Sequence, residues 1–283
     1  MASRRLLDIY DHDRTFTAMR YVYPVVSRRA GGVSVGINLN TNNACNWHCV
    51  YCQVPGLVRG KAPPVDVHVL GAELHGFLKD ALQGDFMVRH VPADARRISD
   101  IALSGNGEPS SAAEFAEVID LAAASLQQYG LAQSALVRVI TNGSLVDQPQ
   151  ARAGFERLGV CRGEAWFKLD GGRRSDIQQV NGVDLDPQAI ARRLALCASL
   201  CSTWVQTCAL RFDGLSLLQD GLDDYLRILD AAGMERLRGV LLYGPARKSM
   251  QPEASRVSCL ADDELQAIAE RLREKGLTVH VSP

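Results

Sequence analysis

Three cysteines at spacings of four and three, Cys45, Cys49 and Cys52 in "TNNACNWHCVYCQ" (residues 41–53), are the side chains here best suited to chemistry. Four thiolates would close a metal site, as in structural zinc and most electron-transfer clusters. Three thiolates on a four-iron cluster leave one iron with an open position for a small molecule. Two other readings stay open. Positions i, i+4 and i+7 share one face of a helix, which would make the thiols core residues, but Thr41, Asn42, Asn43 and Asn46 favour turns over a buried helix. Zinc would need His48 as fourth ligand, awkwardly placed one residue before Cys49.

A second stretch, "SGNGEPS" (residues 104–110), supplies glycines that let backbone amides approach a ligand, and Glu108, which accepts hydrogen bonds from an ammonium. Lys168 and Asp170 share one face of a predicted strand, opposite Phe167 and Leu169. Cys208 shares a strand face with Gln206, so its thiol turns inward if that face does. Cys197 and Cys201 continue the helical stripe of Ile190 and Leu194 and read as core. Arg173 and Arg174 read as a solvated charge pair more readily than as an anion site.

Short β-rich runs, each followed by an amphipathic helical pattern, must position these groups. The runs are residues 33–40, 98–104, 135–141, 164–170, 203–210, 238–243 and 277–281. Leu70, Leu74, Phe77, Leu78 and Ala81 mark the first helix, Phe115, Val118, Ile119 and Ala122 the second, and Leu265, Ile268 and Leu272 the last. Such alternation predicts repeated βα units around a parallel sheet, six or seven of them and so fewer than a closed barrel has. Residues 1–32 are expected to be an N-terminal extension packed on a single domain of residues 33–283. In the first strand Val35, Ile37 and Leu39 form an apolar face, leaving Gly36, Asn38 and Asn40 inward. The inner faces turn polar toward the strands' carboxyl ends, where parallel α/β folds place active sites.

At 283 residues the chain is long enough for a large core, and its formal net charge of −1 gives no global footprint for nucleic acid or membrane. Without a signal peptide or a long apolar run it reads as cytoplasmic and not membrane-bound, so its eight cysteines read as ligands or thiols rather than disulfides.

Cys45-x3-Cys49-x2-Cys52, with Tyr51 before the last cysteine, placed after the first strand of a βα series, resembles the signature of the radical S-adenosylmethionine superfamily. "SGNGEPS" after the second strand resembles that family's Gly-Gly-Glu-Pro motif, with Asn106 and Gly107 in its first two positions. The resemblance implies a partial (β/α)6-type parallel barrel, an open TIM-like α/β core. Cys45, Cys49 and Cys52 would hold a [4Fe-4S] cluster whose unique iron is chelated by S-adenosylmethionine. Glu108 with the backbone of Gly105, Asn106 and Gly107 would orient the methionine ammonium, and Tyr51 would sit near the adenine. Asp170 would meet the ribose hydroxyls, and Asn142 and Tyr243 would lie against the cofactor. Reductive cleavage would give a 5′-deoxyadenosyl radical that takes hydrogen from a substrate, with an electron donor such as flavodoxin or ferredoxin as partner. Lys168 would hold a substrate anion or pair with its neighbours, and Cys208, if inward, would donate hydrogen to a substrate radical. With no cysteine-rich stretch toward residue 283, a single cluster is expected.

The wording "SGNGEP" and "KLDGG" is closest to the branch that includes wyosine-type tRNA base-modifying enzymes. That favours an RNA base or nucleotide-like substrate, and tRNA as a possible partner, although no tRNA-binding appendage is visible. A small metabolite, a peptide or a glycyl-radical activase role are the alternatives. A non-catalytic, metal-stabilised binding protein is the alternative of another class.

Overall fold

Val33, Val35, Ile37 and Leu39 alternate with Ser34, Gly36, Asn38 and Asn40, the period-two pattern of a strand with one apolar face. The computed structural model describes residues 6–7, 16–27 and 31–282. It buries that apolar set in the core and turns Ser34 toward an internal cavity.

Eight strands form one open, curled sheet whose spatial order is the chain order. They are β1 (Val22–Ser27), β2 (Gly32–Ile37), β3 (Ile98–Leu103), β4 (Leu136–Thr141), β5 (Glu164–Lys168), β6 (Ser202–Cys208), β7 (Gly239–Tyr243) and β8 (Val279–Ser282). From β2 to β8 every neighbouring pair is parallel. Parallel neighbours need a crossover, and helices supply it. The main ones are α1 (Val67–Gln83), α2 (Phe115–Gln128), α3 (Pro149–Val160), α4 (Arg174–Asn181), α5 (Pro187–Leu200), α6 (Leu222–Ala232) and α7 (Asp262–Glu274). The chain is therefore of mixed α/β class.

Helix α1 shows why these segments fold as they do. The Asp66 carboxylate accepts the Val69 N–H at 3.1 Å and caps the first turn. Leu70, Leu74, Phe77, Leu78 and Ala81 then recur at helical spacing and are all buried. Each large apolar side chain so buried contributes about 1.5–3 kcal/mol. The stripe of α5 behaves alike: Ile190, Leu194, Cys197 and, just beyond the helix, Cys201 all lie in the core.

The sheet departs from expectation at its N-terminal edge. Residues 22–27, expected in an extension before the strand series, form β1 and pair antiparallel with β2, with Tyr23 opposite Gly36. The seven parallel strands match the seven expected runs, and the antiparallel edge strand is added to them. Pro24 is tolerated because an edge strand needs no N–H from it on its open side. Gly36 is required by contact, since a Cβ there would lie 2.3 Å from the Tyr23 ring. Residues 28–30, between β1 and the start of the next strand, lie outside the described residues.

Candidate active site

The parallel strands carry their polar inner-face residues to one cavity of about 280 Å³. Cys45, Cys49 and Cys52 all line it, as do Tyr51, Gly105, Gly107 and Glu108. Lys168, Gln206 and Cys208, toward the carboxyl ends of β5 and β6, line the same cavity, and Asp100, Arg138 and Trp166 line it farther from the strands' carboxyl ends.

The cysteine loop is held on three sides. On one, Ala44–Cys45 pairs with Val58–Arg59, and Gly60 N–H donates to the Cys45 carbonyl at 3.0 Å. On another, His48 and Val50 donate their N–H groups to the carbonyls of Asn181 and Val180 at the end of α4, at 3.0 and 2.8 Å. Gly182 makes this possible: it takes a left-handed φ of 65°, and a Cβ there would stand 2.6 Å from the His48 carbonyl oxygen. On the third side, Ser249 Oγ donates to the Val50 carbonyl at 2.6 Å, and Gln251 Nε2 to the Val54 carbonyl at 2.8 Å. Sequence reasoning missed Asn181, Ser249 and Gln251. Only Asn181-Gly182, a helix-ending dipeptide, carried a local signal.

All three thiols are free and half-buried. Burial pushes the Cys45 thiol up to about 11 and the Cys49 thiol up to about 12. Two sulfurs also accept hydrogen bonds, Cys45 from Trp47 N–H and Cys49 from Asn181 Nδ2, both at 3.4 Å. Burial disfavours the Cys45 and Cys49 thiolates, so a bound cation would have to displace their protons, and the two N–H donors would then face the thiolates formed. Among the described residues no three His, Cys, Asp or Glu side chains converge on a point for one metal ion. A cluster takes each thiolate at a different corner, so it needs no such convergence. His48 turns elsewhere, its Nε2 lying 3.5 Å from Glu253.

The glycine-rich turn is positioned by β2. Asn38 Oδ1 accepts Asn106 N–H at 3.0 Å, and Asn106 Nδ2 donates to Asn43 Oδ1 at 2.5 Å. A Cβ on Gly105 would lie 2.3 Å from Asn38 Oδ1, and one on Gly107 2.0 Å from the Ala44 carbonyl oxygen. These glycines therefore admit neighbouring protein, where the sequence suggested room for a ligand. Asn38 and Asn40, inner-face amides that needed partners, find them in this turn and in the Ala44 carbonyl.

Glu108 is buried and engaged by protein donors. Its Oε1 accepts from Ser110 N–H, Ser110 Oγ and Thr141 Oγ1 at 3.1, 2.6 and 2.7 Å, and Oε2 accepts Asn142 N–H at 2.6 Å. Burial outweighs these bonds and raises its pKa above the ordinary carboxyl value. Asn142, also on the cavity wall, donates through Nδ2 to Asn46 Oδ1 at 2.8 Å, tying the end of β4 to the cysteine loop.

Asp170 stands behind the wall. It accepts from Tyr51 Oη at 2.5 Å, Asn181 Nδ2 at 2.7 Å and Cys208 N–H at 2.8 Å. Lys168 Nζ lies 3.4 Å from Tyr51 Oη and 5.2 Å from that ring's centroid. Burial alone would lower the Lys168 pKa, but Tyr243, Asp170, Cys49 and Cys208 surround the ammonium and hold it above the ordinary value. Cys208 is buried, which pushes its thiol well above normal, and it faces the cavity as the strand alternation requires. Gln206, 2% exposed on the same wall, has no partner for Oε1. Tyr243 lines the cavity at the end of β7. Arg173 and Arg174 pair with Asp224 and Asp184 at exposed positions, as expected of a solvated pair.

At the far end Arg138 bridges Asp100 and Glu164 and stacks 4.2 Å from the Trp166 ring centroid, a floor of opposed charges that the strand patterns did not reveal. Among the described residues no helix is long and apolar enough to cross a membrane. In comparison with known proteins, the chain matches no protein-family model and no curated protein.

Proposed function

We propose that this protein is a radical S-adenosylmethionine enzyme with a partial-barrel core. One observation carries the reading: the three free cysteines and the Gly105–Glu108 turn, far apart in sequence, line one cavity at the carboxyl ends of parallel strands. When bound, a [4Fe-4S] cluster would supply one-electron reductive cleavage of S-adenosylmethionine to a 5′-deoxyadenosyl radical, the electron coming from a flavodoxin or ferredoxin.

The chain's own residues divide the remaining work. Cys45, Cys49 and Cys52 hold the cluster. Tyr51, Asn142, Tyr243 and the backbone of Gly105 to Gly107 form the walls of the S-adenosylmethionine site. Glu108 fixes the glycine-rich turn against the end of β4, and Asp170 fixes Tyr51, so both carboxylates act by position. The Lys168 ammonium offsets the negative charge that three thiolates bring into a dry site. On the same wall Gln206 offers an unmet acceptor to a substrate, which we read as an RNA base or nucleotide-like molecule ahead of a small metabolite or peptide. Cys208 keeps its S–H because burial disfavours the thiolate, as a hydrogen-atom donor must.

A metal-stabilised binding protein would use the cysteines alone and leave a buried, unmet Gln206 oxygen without a purpose. Anaerobic reconstitution with iron and sulfide tests the reading. It predicts about four irons per chain, absent from a Cys45/Cys49/Cys52→Ala variant, and a changed electron paramagnetic resonance signal when S-adenosylmethionine meets the reduced protein. One zinc per chain and no iron uptake would overturn it.

A further inference from the structure

The α4 end does more than support the cysteine loop. Asn181 is 1% exposed, and its Nδ2 makes two contacts, 2.7 Å to Asp170 Oδ2 and 3.4 Å to Cys49 Sγ. A carboxamide nitrogen carries two N–H groups, so one serves each acceptor. Asp170 is itself fixed by Tyr51 Oη and Cys208 N–H, so the amide cannot turn away without leaving a buried carboxylate short of a donor. The backbone tightens the same junction, with His48 N–H on the Asn181 carbonyl. The second N–H of Asn181 is therefore aimed at one chosen sulfur.

We propose that Asn181 is a positioning residue that raises the reduction potential of the centre held by Cys45, Cys49 and Cys52. The inference rests on the cluster reading above. Hydrogen bonds to ligand sulfurs are among the protein's means of setting a cluster's potential. An N–H aimed at Cys49 Sγ withdraws electron density from that thiolate and favours the more negative, reduced state. The step is a simple electron transfer: an external one-electron reductant is oxidised, the cluster gains one electron, and no bond is made or broken at Asn181. Asp170 enforces the effect by holding the amide in place.

The test is a redox titration of the reconstituted full-length protein poised with dithionite, comparing wild type with Asn181→Leu, which keeps side-chain bulk and removes both N–H groups. At a fixed poise the reduced-to-oxidised ratio is expected to fall roughly tenfold, which for a one-electron couple is a midpoint about 59 mV more negative. An unchanged midpoint in a variant with full iron content would overturn the inference and leave the cluster reading standing. Failure of wild type to take up iron would remove both. Should Asn181→Leu not fold, pulsed electron paramagnetic resonance of reduced wild type labelled with amide-15N asparagine decides the matter. A hyperfine coupling to 15N supports the contact, and its absence overturns it.

Discussion

Tyr51 Oη donates to Asp170 Oδ2 at 2.5 Å, joining the residue between two loop cysteines to the turn just after β5, 119 positions later. This bond and its neighbours decide whether the cysteine loop has one conformation. Asp170→Ala leaves three buried donors, Tyr51 Oη, Asn181 Nδ2 and Cys208 N–H, without their acceptor. The expected cost is about 3 kcal/mol in urea unfolding, together with faster proteolysis within residues 46–52. Unfolding indistinguishable from wild type would mean that the network holds nothing.

Reactivity of the thiols follows from their burial. With the Cys45 thiol at about 11 and Cys49 at about 12, against an ordinary 9.0, their thiolate fractions near pH 8 are reduced about 100-fold and 1000-fold, and alkylation slows with them. Mass spectrometry of metal-free protein treated with iodoacetamide should find the exposed Cys259 labelled first. Labelling of Cys45 and Cys49 should rise with pH toward those values. Preferential labelling of either at pH 8 would contradict the account.

Glu108 gives a pH signature. Its folded-state pKa is raised by burial, so between the ordinary carboxyl value and the raised one the folded state binds more protons than the unfolded state. Stability attributable to this group therefore falls as pH rises through that window. Chemical unfolding of wild type and Glu108→Gln across the acidic range should show wild type losing stability relative to the variant as pH increases there. A difference that stays flat, or grows in favour of wild type, would show that the four donated hydrogen bonds outweigh burial.

Gln206 separates stability from function. Its Oε1 is buried without a partner, and such a group costs about 1–3 kcal/mol. Gln206→Leu should raise the melting temperature, while lowering turnover if the lumen receives substrate. A lower melting temperature would mean the amide is satisfied in solution.

Much of this framework could be read from residue order because it depends on local periodicity. The seven parallel strands, the stripe of α1 and the core role of Cys197 and Cys201 are all written in spacing. Strand β1 was hidden: a six-residue run interrupted by Pro24 looks like a loop until its antiparallel partner is known. The cysteine triplet and the glycine-rich turn were visible, but what holds them was not. Asn181, Ser249 and Gln251 act from about 130 to 200 residues away, and no local pattern encodes such a contact. Glu108 and Asp170 were expected from the sequence to contact a cofactor, whereas the assembled structure shows protein donors on both carboxylates, a long-range arrangement that no local pattern encodes.

The central claim is that Cys45, Cys49 and Cys52 support radical initiation from S-adenosylmethionine. Its most direct test is to reconstitute the protein anaerobically, add dithionite and S-adenosylmethionine, and assay 5′-deoxyadenosine in wild type and in the Cys45/Cys49/Cys52→Ala variant. The account predicts deoxyadenosine from wild type alone. Equal amounts from both proteins, or none from an iron-loaded wild type, would contradict it.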